Sequence, residues 1–121
     1  MDLNLILGSV TTQQIIDRFN AVNDYVTLTF DLENYVIDRT YWNILKGIEA
    51  YLLTVAGSAL TTVDVFNEDF DVITLDVADF ESLIDDIQTE FDEKAYLTSV
   101  TLSTYLSDVS AVKKADLAAW V

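Results

Sequence analysis

Between Val63 and Phe91 the chain reads VDVFNEDFDVITLDVADFESLIDDIQTEF. Its apolar residues Val63, Phe66, Phe70, Ile73, Val77, Phe80, Ile84, Ile87 and Phe91 fall at alternating steps of three and four. Wound as a helix, that spacing lays an apolar seam along one side, and a seam sustained over several heptads asks for a partner helix. Further apolar residues at Val65, Val72, Leu75 and Leu83 make the face wider than a two-stranded zipper needs, which favours three strands or a bundle. The sequence therefore predicts a mainly α protein, an elongated helical bundle or coiled coil that is homotrimeric, with those nine residues as its oligomer seam.

The two halves of this segment differ in composition. Ala78 to Glu93 is a strong helix pattern, with Phe80, Leu83, Ile84, Ile87 and Phe91 inside and acids outside. Residues 61–77 are rich in Val, Thr, Asp and Phe, which are mediocre helix formers, and Asp71 to Val77 reads as a strand by composition. Helix is the expected state because the heptad register runs through both halves. Short β segments are the alternative near 61–77, and also near 25–31, where Thr27-Leu28-Thr29-Phe30 alternates. There too helix is expected, since no turn residue separates Tyr25–Ile37 from its neighbours.

Outward from the acidic segment the pattern is helical. Thr12 is the expected N-cap of a helix carrying Ile15, Ile16, Phe19, Val22 and Val26. Residues 1–10 read as a short extended arm. Ile44 to Ala56 has one apolar face, ended by Gly57-Ser58, where glycine would take the left-handed conformation that closes a helix. After Ala95 a partial stripe of Leu102, Tyr105, Leu106, Val109 and Val112 leads to Trp120 and Val121. A chain end of this kind is expected either to dock or to continue in the native polypeptide. Residues 1–60 then form an N-terminal helical attachment region and 61–121 the heptad helix with its extension, one structural unit overall.

Composition narrows the function. The 121 residues carry 21 acids against 6 basic residues, for a net charge of −15. Twelve of the acids lie between Asp64 and Glu93 with no basic residue among them. So acidic a chain is unsuited to holding phosphates or anionic lipid, which rely on Lys and Arg, so neither nucleic acid nor membrane is an expected partner. With 51% apolar residues it is not a disordered polyelectrolyte. Histidine and cysteine are absent, which removes the commonest general base, the commonest transition-metal ligand and all thiol chemistry. The N-terminus lacks the basic start and apolar length of a signal peptide. Lys46 and Glu49 interrupt the best candidate membrane span, Tyr41–Leu60.

The remaining motifs are weak. Acid pairs such as Asp85/Asp86 and Asp92/Glu93 read as a solvated helix face, and none matches a calcium loop with its central glycine. Ser110-Ala-Val-Lys113 fits a Ser-x-x-Lys pattern without its companion motifs. No cofactor, no metal and no catalytic residue is expected. Tyr41, Trp42 and Trp120 are the candidate partner anchors, because aromatic residues dominate binding hot spots.

Two phrases near the C-terminus carry a resemblance. Tyr96-Leu-Thr-Ser-Val-Thr-Leu-Ser-Thr-Tyr-Leu106 and the Lys114-Ala-Asp-Leu-Ala118 element resemble sequence of bacteriophage tail and head fibre proteins, over residues 96–118. The resemblance implies a non-enzymatic virion structural protein, a self-associating fibre, neck or head appendage. Its implied partners are other copies of itself and virion proteins with basic or apolar docking surfaces. The alternative expectation is an acidic DNA mimic that occupies the nucleic-acid site of a host defence enzyme.

Overall fold

The computed structural model describes residues 8–121. Its elements are α1 (Thr12–Val22), β1 (Tyr25–Phe30), β2 (Glu33–Asp38), α2 (Arg39–Leu52), β3 (Thr62–Phe66), β4 (Val72–Asp76), α3 (Val77–Ser107) and α4 (Lys114–Ala119), with 3-10 turns at Gly57–Ala59 and Val109–Ala111. β1 pairs with β2 and β3 with β4, each as a separate antiparallel hairpin. The chain groups into two units that cut across the 1–60 and 61–121 regions read from sequence. One is residues 25–92; the other joins the residues before Tyr25 to 93–121. α3 contributes to both.

The fold is α+β, and the continuous coiled-coil helix does not form. The first part of the heptad pattern is the hairpin β3–β4, and only Val77 onward is helix. A strand sends residues three apart to opposite faces, so one hydrophobic repeat cannot stay on one side of it. Val63 and Val65 point inward from β3 and Leu75 from β4, while Phe66 and Val72 point out. The inward set has period two, and the heptad reading mixed it with outward residues. In α3 the period is helical, and Phe80, Leu83, Ile84, Ile87 and Phe91 are buried. They pack in their own chain's core with Val26, Tyr35, Ile37, Trp42, Leu45, Val65 and Leu75. The partner that the seam demanded is thus supplied within the 25–92 unit.

Tyr25–Ile37, expected as helix, is the other hairpin. Its inward residues are Val26 on β1 and Tyr35 and Ile37 on β2, with Thr27, Thr29, Asn34 and Val36 outward. Phe30 and Glu33 are Cα partners, so the turn has two residues, Asp31 and Leu32. Both have positive φ (47° and 68°), the conformation that suits the right-handed twist of a tight hairpin. Glycine or asparagine is usual there, and neither is present.

The 25–92 unit therefore repeats one plan, hairpin then helix. In each copy the last strand residue is an aspartate whose carboxylate caps the following helix. Asp38 Oδ1 accepts from Tyr41 N at 2.7 Å, and Asp76 Oδ1 from Asp79 N at 2.7 Å. This satisfies amides that a helix N-terminus leaves without an internal partner. Four residues past each aspartate stands a buried aromatic, Trp42 or Phe80; seven past stands a buried leucine, Leu45 or Leu83. Each outward face also carries one cross-strand hydrogen bond: Thr29 Oγ1 donates to Asn34 at 2.6 Å, and Thr74 Oγ1 to Asp64 at 2.7 Å. Gly57, in the connection between the copies, has no positive φ. Its need is space, because a Cβ there would lie 1.9 Å from the Tyr51 carbonyl oxygen.

In the other unit, the N-cap of α1 is Thr11, one residue before the expected Thr12. Its side chain accepts from Gln14 N at 3.1 Å while Gln14 Oε1 accepts from Thr11 N at 2.9 Å. Ile15, Val22, Val112, Leu117 and Trp120 form its core, with Phe19, Leu102, Tyr105 and Val109 against them. The Arg18 guanidinium donates to the Trp120 carbonyl oxygen at 2.7 and 2.9 Å, which ties α1 to the end of α4. Of the expected arm, residues 1–7 lie outside the described residues, and Ser9 forms a β-bridge with Lys113.

Candidate docking surface

Both hairpin tips hold a large apolar side chain between two acids, Asp31-Leu32-Glu33 and Asp69-Phe70-Asp71. Leu32 is 95% exposed and Phe70 83% exposed. Each sits at positive φ, 68° for Leu32 and 62° for Phe70. A left-handed backbone costs a residue with a Cβ roughly 1–2 kcal/mol, and full exposure returns no burial to offset it. Neither side chain therefore serves the hairpin that carries it.

The second tip is built around Asn67. Its Oδ1 accepts from Asp69 N at 3.0 Å and Asp71 N at 2.9 Å, while its backbone N–H donates to Asp71 O at 3.1 Å. This side chain takes the place of the ladder across the loop 67–71 and fixes the direction in which Phe70 leaves it. The two tips are also tied to each other. Glu68 N donates to Asn34 O at 2.8 Å, and Asn67 Nδ2 to Glu33 Oε2 at 3.1 Å. Leu32 and Phe70 thus belong to neighbouring loops at one end of the unit.

Beside Phe70 runs a mainly apolar groove of about 460 Å³, floored by Val36, Tyr41, Ile44 and Phe66, with Asp38 and Glu68 on its margin. Val36, Ile44 and Phe66 are each about half exposed. The Tyr41 hydroxyl accepts a hydrogen bond from Phe66 N at 2.8 Å, which holds α2 against β3 and fixes one wall. Burial raises the pKa of this hydroxyl above the ordinary 10.0, and the bond from Phe66 N lowers it in part. The phenol is therefore neutral at physiological pH. Of the eight acids in the two hairpins, at 31, 33, 38, 64, 68, 69, 71 and 76, Asp38 and Glu68 line the groove, and neither hairpin contains a lysine or arginine.

The residues singled out from sequence divide sharply. Phe66 and Phe70, assigned to the seam, lie at the groove. Val63, Phe80, Ile84, Ile87 and Phe91 are in the core, and Ile73 and Val77 are partly buried against it. Among the candidate anchors, Tyr41 is a groove wall. Trp42 is buried, with its ring centroid 5.7 Å from that of Phe91, and the Arg39 guanidinium lies 3.9 Å from the same Phe91 centroid. Trp120 is buried in the other unit, edge-on to Tyr105 at 5.4 Å. Leu32, Val36 and Ile44 were missed. The acid–apolar–acid triplet alone does not mark the tips, since Asp79-Phe80-Glu81 and Glu90-Phe91-Asp92 share it with buried phenylalanines, and nothing in the sequence marks Val36 or Ile44.

The Ser110 hydroxyl donates to Asp108 Oδ1 at 2.6 Å. Among the described residues no cluster of three or more His, Cys, Asp or Glu is placed to hold a metal ion. No helix among them is long and apolar enough to cross a membrane. Comparison with protein-family models, curated proteins and solved structures finds no match to this chain.

Proposed function

We propose that the protein is a non-enzymatic docking protein that binds a basic protein surface through its paired hairpin tips. The observation that carries this reading is the pair of exposed apolar residues, Leu32 and Phe70, held in left-handed backbone inside acidic triplets. Apolar anchors give affinity, and the acids around them select a partner bearing lysine or arginine and speed its approach. In its narrower form the proposal is a virion structural component, a neck or head appendage that docks on a capsid or tail protein. The resemblance at residues 96–118 supports that form. A coiled-coil fibre is not part of it, since the heptad segment is half hairpin.

A probe tests the surface without knowledge of the partner. The full chain is titrated with an amphipathic lysine/leucine peptide, and with the same peptide carrying glutamate for lysine, while backbone amide shifts are followed by NMR. Expected are shifts at Val36, Ile44, Phe66 and Phe70 with the basic peptide alone, and binding at least about tenfold weaker in Phe70→Asp. Shifts confined to α3, indifferent to Phe70→Asp, overturn the reading. That outcome would favour the DNA mimic, for which one observation speaks: Asp79, Glu81, Asp85, Asp86 and Asp92 are all exposed along α3. The virion proposal is tested by mass spectrometry of gradient-purified particles, and recovery of the chain only outside them contradicts it.

A further inference from the structure

The second half of α3 carries a surface of the opposite character. From Ala95 to Ser107 there is no charged residue, in a chain of net charge −15. Tyr96, Leu97, Val100, Ser103, Thr104 and Ser107 recur at steps of one, three and four and are all exposed, so they form one strip on the helix. Tyr96 is 69% exposed and Val100 51%. The inward side of the same helix is occupied, with Leu102 and Tyr105 packed on the core of Ile15, Val22 and Trp120.

Three hydroxyls on the outer side of this stretch are turned back onto their own helix. Ser99 Oγ donates to Tyr96 O at 2.6 Å, Thr104 Oγ1 to Val100 O at 3.1 Å, and Ser107 Oγ to Thr104 O at 2.7 Å. Covering these three hydroxyls strands no donor, while the hydroxyls of Tyr96 and Ser103, which make no such bond, must find their partner across the contact. What the strip offers outward is aliphatic and aromatic carbon with small side chains between. Small residues let two helix axes approach closely.

We infer that this strip is the contact face for a second copy of the same chain. Charge selects that occupant. The basic partner suited to the hairpin tips finds no acid here to pair with. Two copies, by contrast, each carry fifteen net negative charges and repel wherever acids meet. A two-fold contact sets a strip against its own duplicate, so it must be free of charge and self-complementary, as Tyr96, Leu97 and Val100 are. The inference is independent of the hairpin-tip reading, and salt separates the two. Screening weakens attraction to a basic partner but relieves repulsion between like copies.

The experiment is light scattering after size exclusion on the full chain at about 0.05 M and 1 M salt, where the screening length falls from more than 10 Å to about 3 Å. Expected is a mass that moves from the 13.6 kDa of one chain toward twice that value as salt rises. Val100→Asp should raise the dimer dissociation constant at high salt by at least about tenfold, because the change sets two like charges in the contact. Val100→Lys provides the same test in a strong helix former, and circular dichroism verifies that both variants fold. Phe70→Asp should leave the dimer intact. A single-chain mass at every salt concentration overturns the inference, as does a dimer that survives both Val100 variants or is lost in Phe70→Asp.

Discussion

The hairpin β1–β2 with α2 and the hairpin β3–β4 with α3 follow one plan up to their tips and then diverge. Both end in a capping aspartate, both bury an aromatic four residues later, and both turn polar partners outward. The first closes in two residues and the second in five, organised by Asn67. Different turn chemistry nonetheless reaches the same result, an exposed apolar residue in left-handed backbone between acids. Where the fold sets the requirement, at cap and core, the copies use similar residues in similar places. At the tips the fold would be better served by glycine, yet both copies place a large apolar residue there.

The strongest way to break this equivalence is in the core. Trp42→Ala and Phe80→Ala should each destabilise by about 3–5 kcal/mol in denaturant unfolding, since each empties the corresponding site under its own hairpin. A loss below about 1 kcal/mol in either would show that the two helices are not anchored alike.

Three residues before each aspartate the copies differ, with Tyr35 in one and Ile73 in the other. The Tyr35 hydroxyl is buried with no hydrogen-bond partner among the described residues, which costs about 1–3 kcal/mol. Tyr35→Phe should therefore raise stability by about 1 kcal/mol in the same assay. Burial first, then Glu33, Tyr41 and Asp31, raises the pKa of this hydroxyl above 10.0. The protonated phenol thus favours the folded state. Ionisation adds no cost below pH 10.0 and a growing one as pH climbs from there through the higher folded value. Alkaline destabilisation should begin near that pH and be smaller in Tyr35→Phe; an unchanged profile would contradict the assignment.

Asp38→Ala and Asp76→Ala should cost about 1 kcal/mol each, and the two costs should match, because both carboxylates accept one first-turn amide at the same distance. Unequal losses would limit the shared plan to the core.

How much of this was legible follows from where the signals lie. Helices α1, α2 and the acidic part of α3 announce themselves by helical spacing, but α2 begins at Arg39 rather than near Ile44, and the capping aspartates Asp38 and Asp76 were hidden by segments read as continuous helix. The hairpins were obscured for one physical reason. Turns are recognised by glycine, asparagine or proline, and Asp31-Leu32 and Phe70 take positive φ without glycine. With no glycine or proline in either turn and Asn67 the one cue in the second, Val63, Phe66, Phe70, Ile73 and Val77 matched a heptad by spacing alone, though they belong to two strands, a loop and a helix start. The alternation at 27–30 and the strand-like composition of 71–77 were the sounder guide. The groove was not legible at all, because Val36, Ile44 and Phe66 come from three elements that only the packed hairpins bring together.

The smallest expected effect bears most directly on the tips. Leu32→Gly and Phe70→Gly each relieve a left-handed backbone and remove no buried contact. Each should therefore raise the unfolding free energy by about 0.5–1 kcal/mol after the flexibility of glycine in the unfolded chain is counted. A gain in both variants, measured by denaturant titration against the wild type, would mean that these side chains are kept at the expense of the fold, as a docking role requires. A loss in both would mean that Leu32 and Phe70 hold the hairpins together, and the docking surface would lose its foundation.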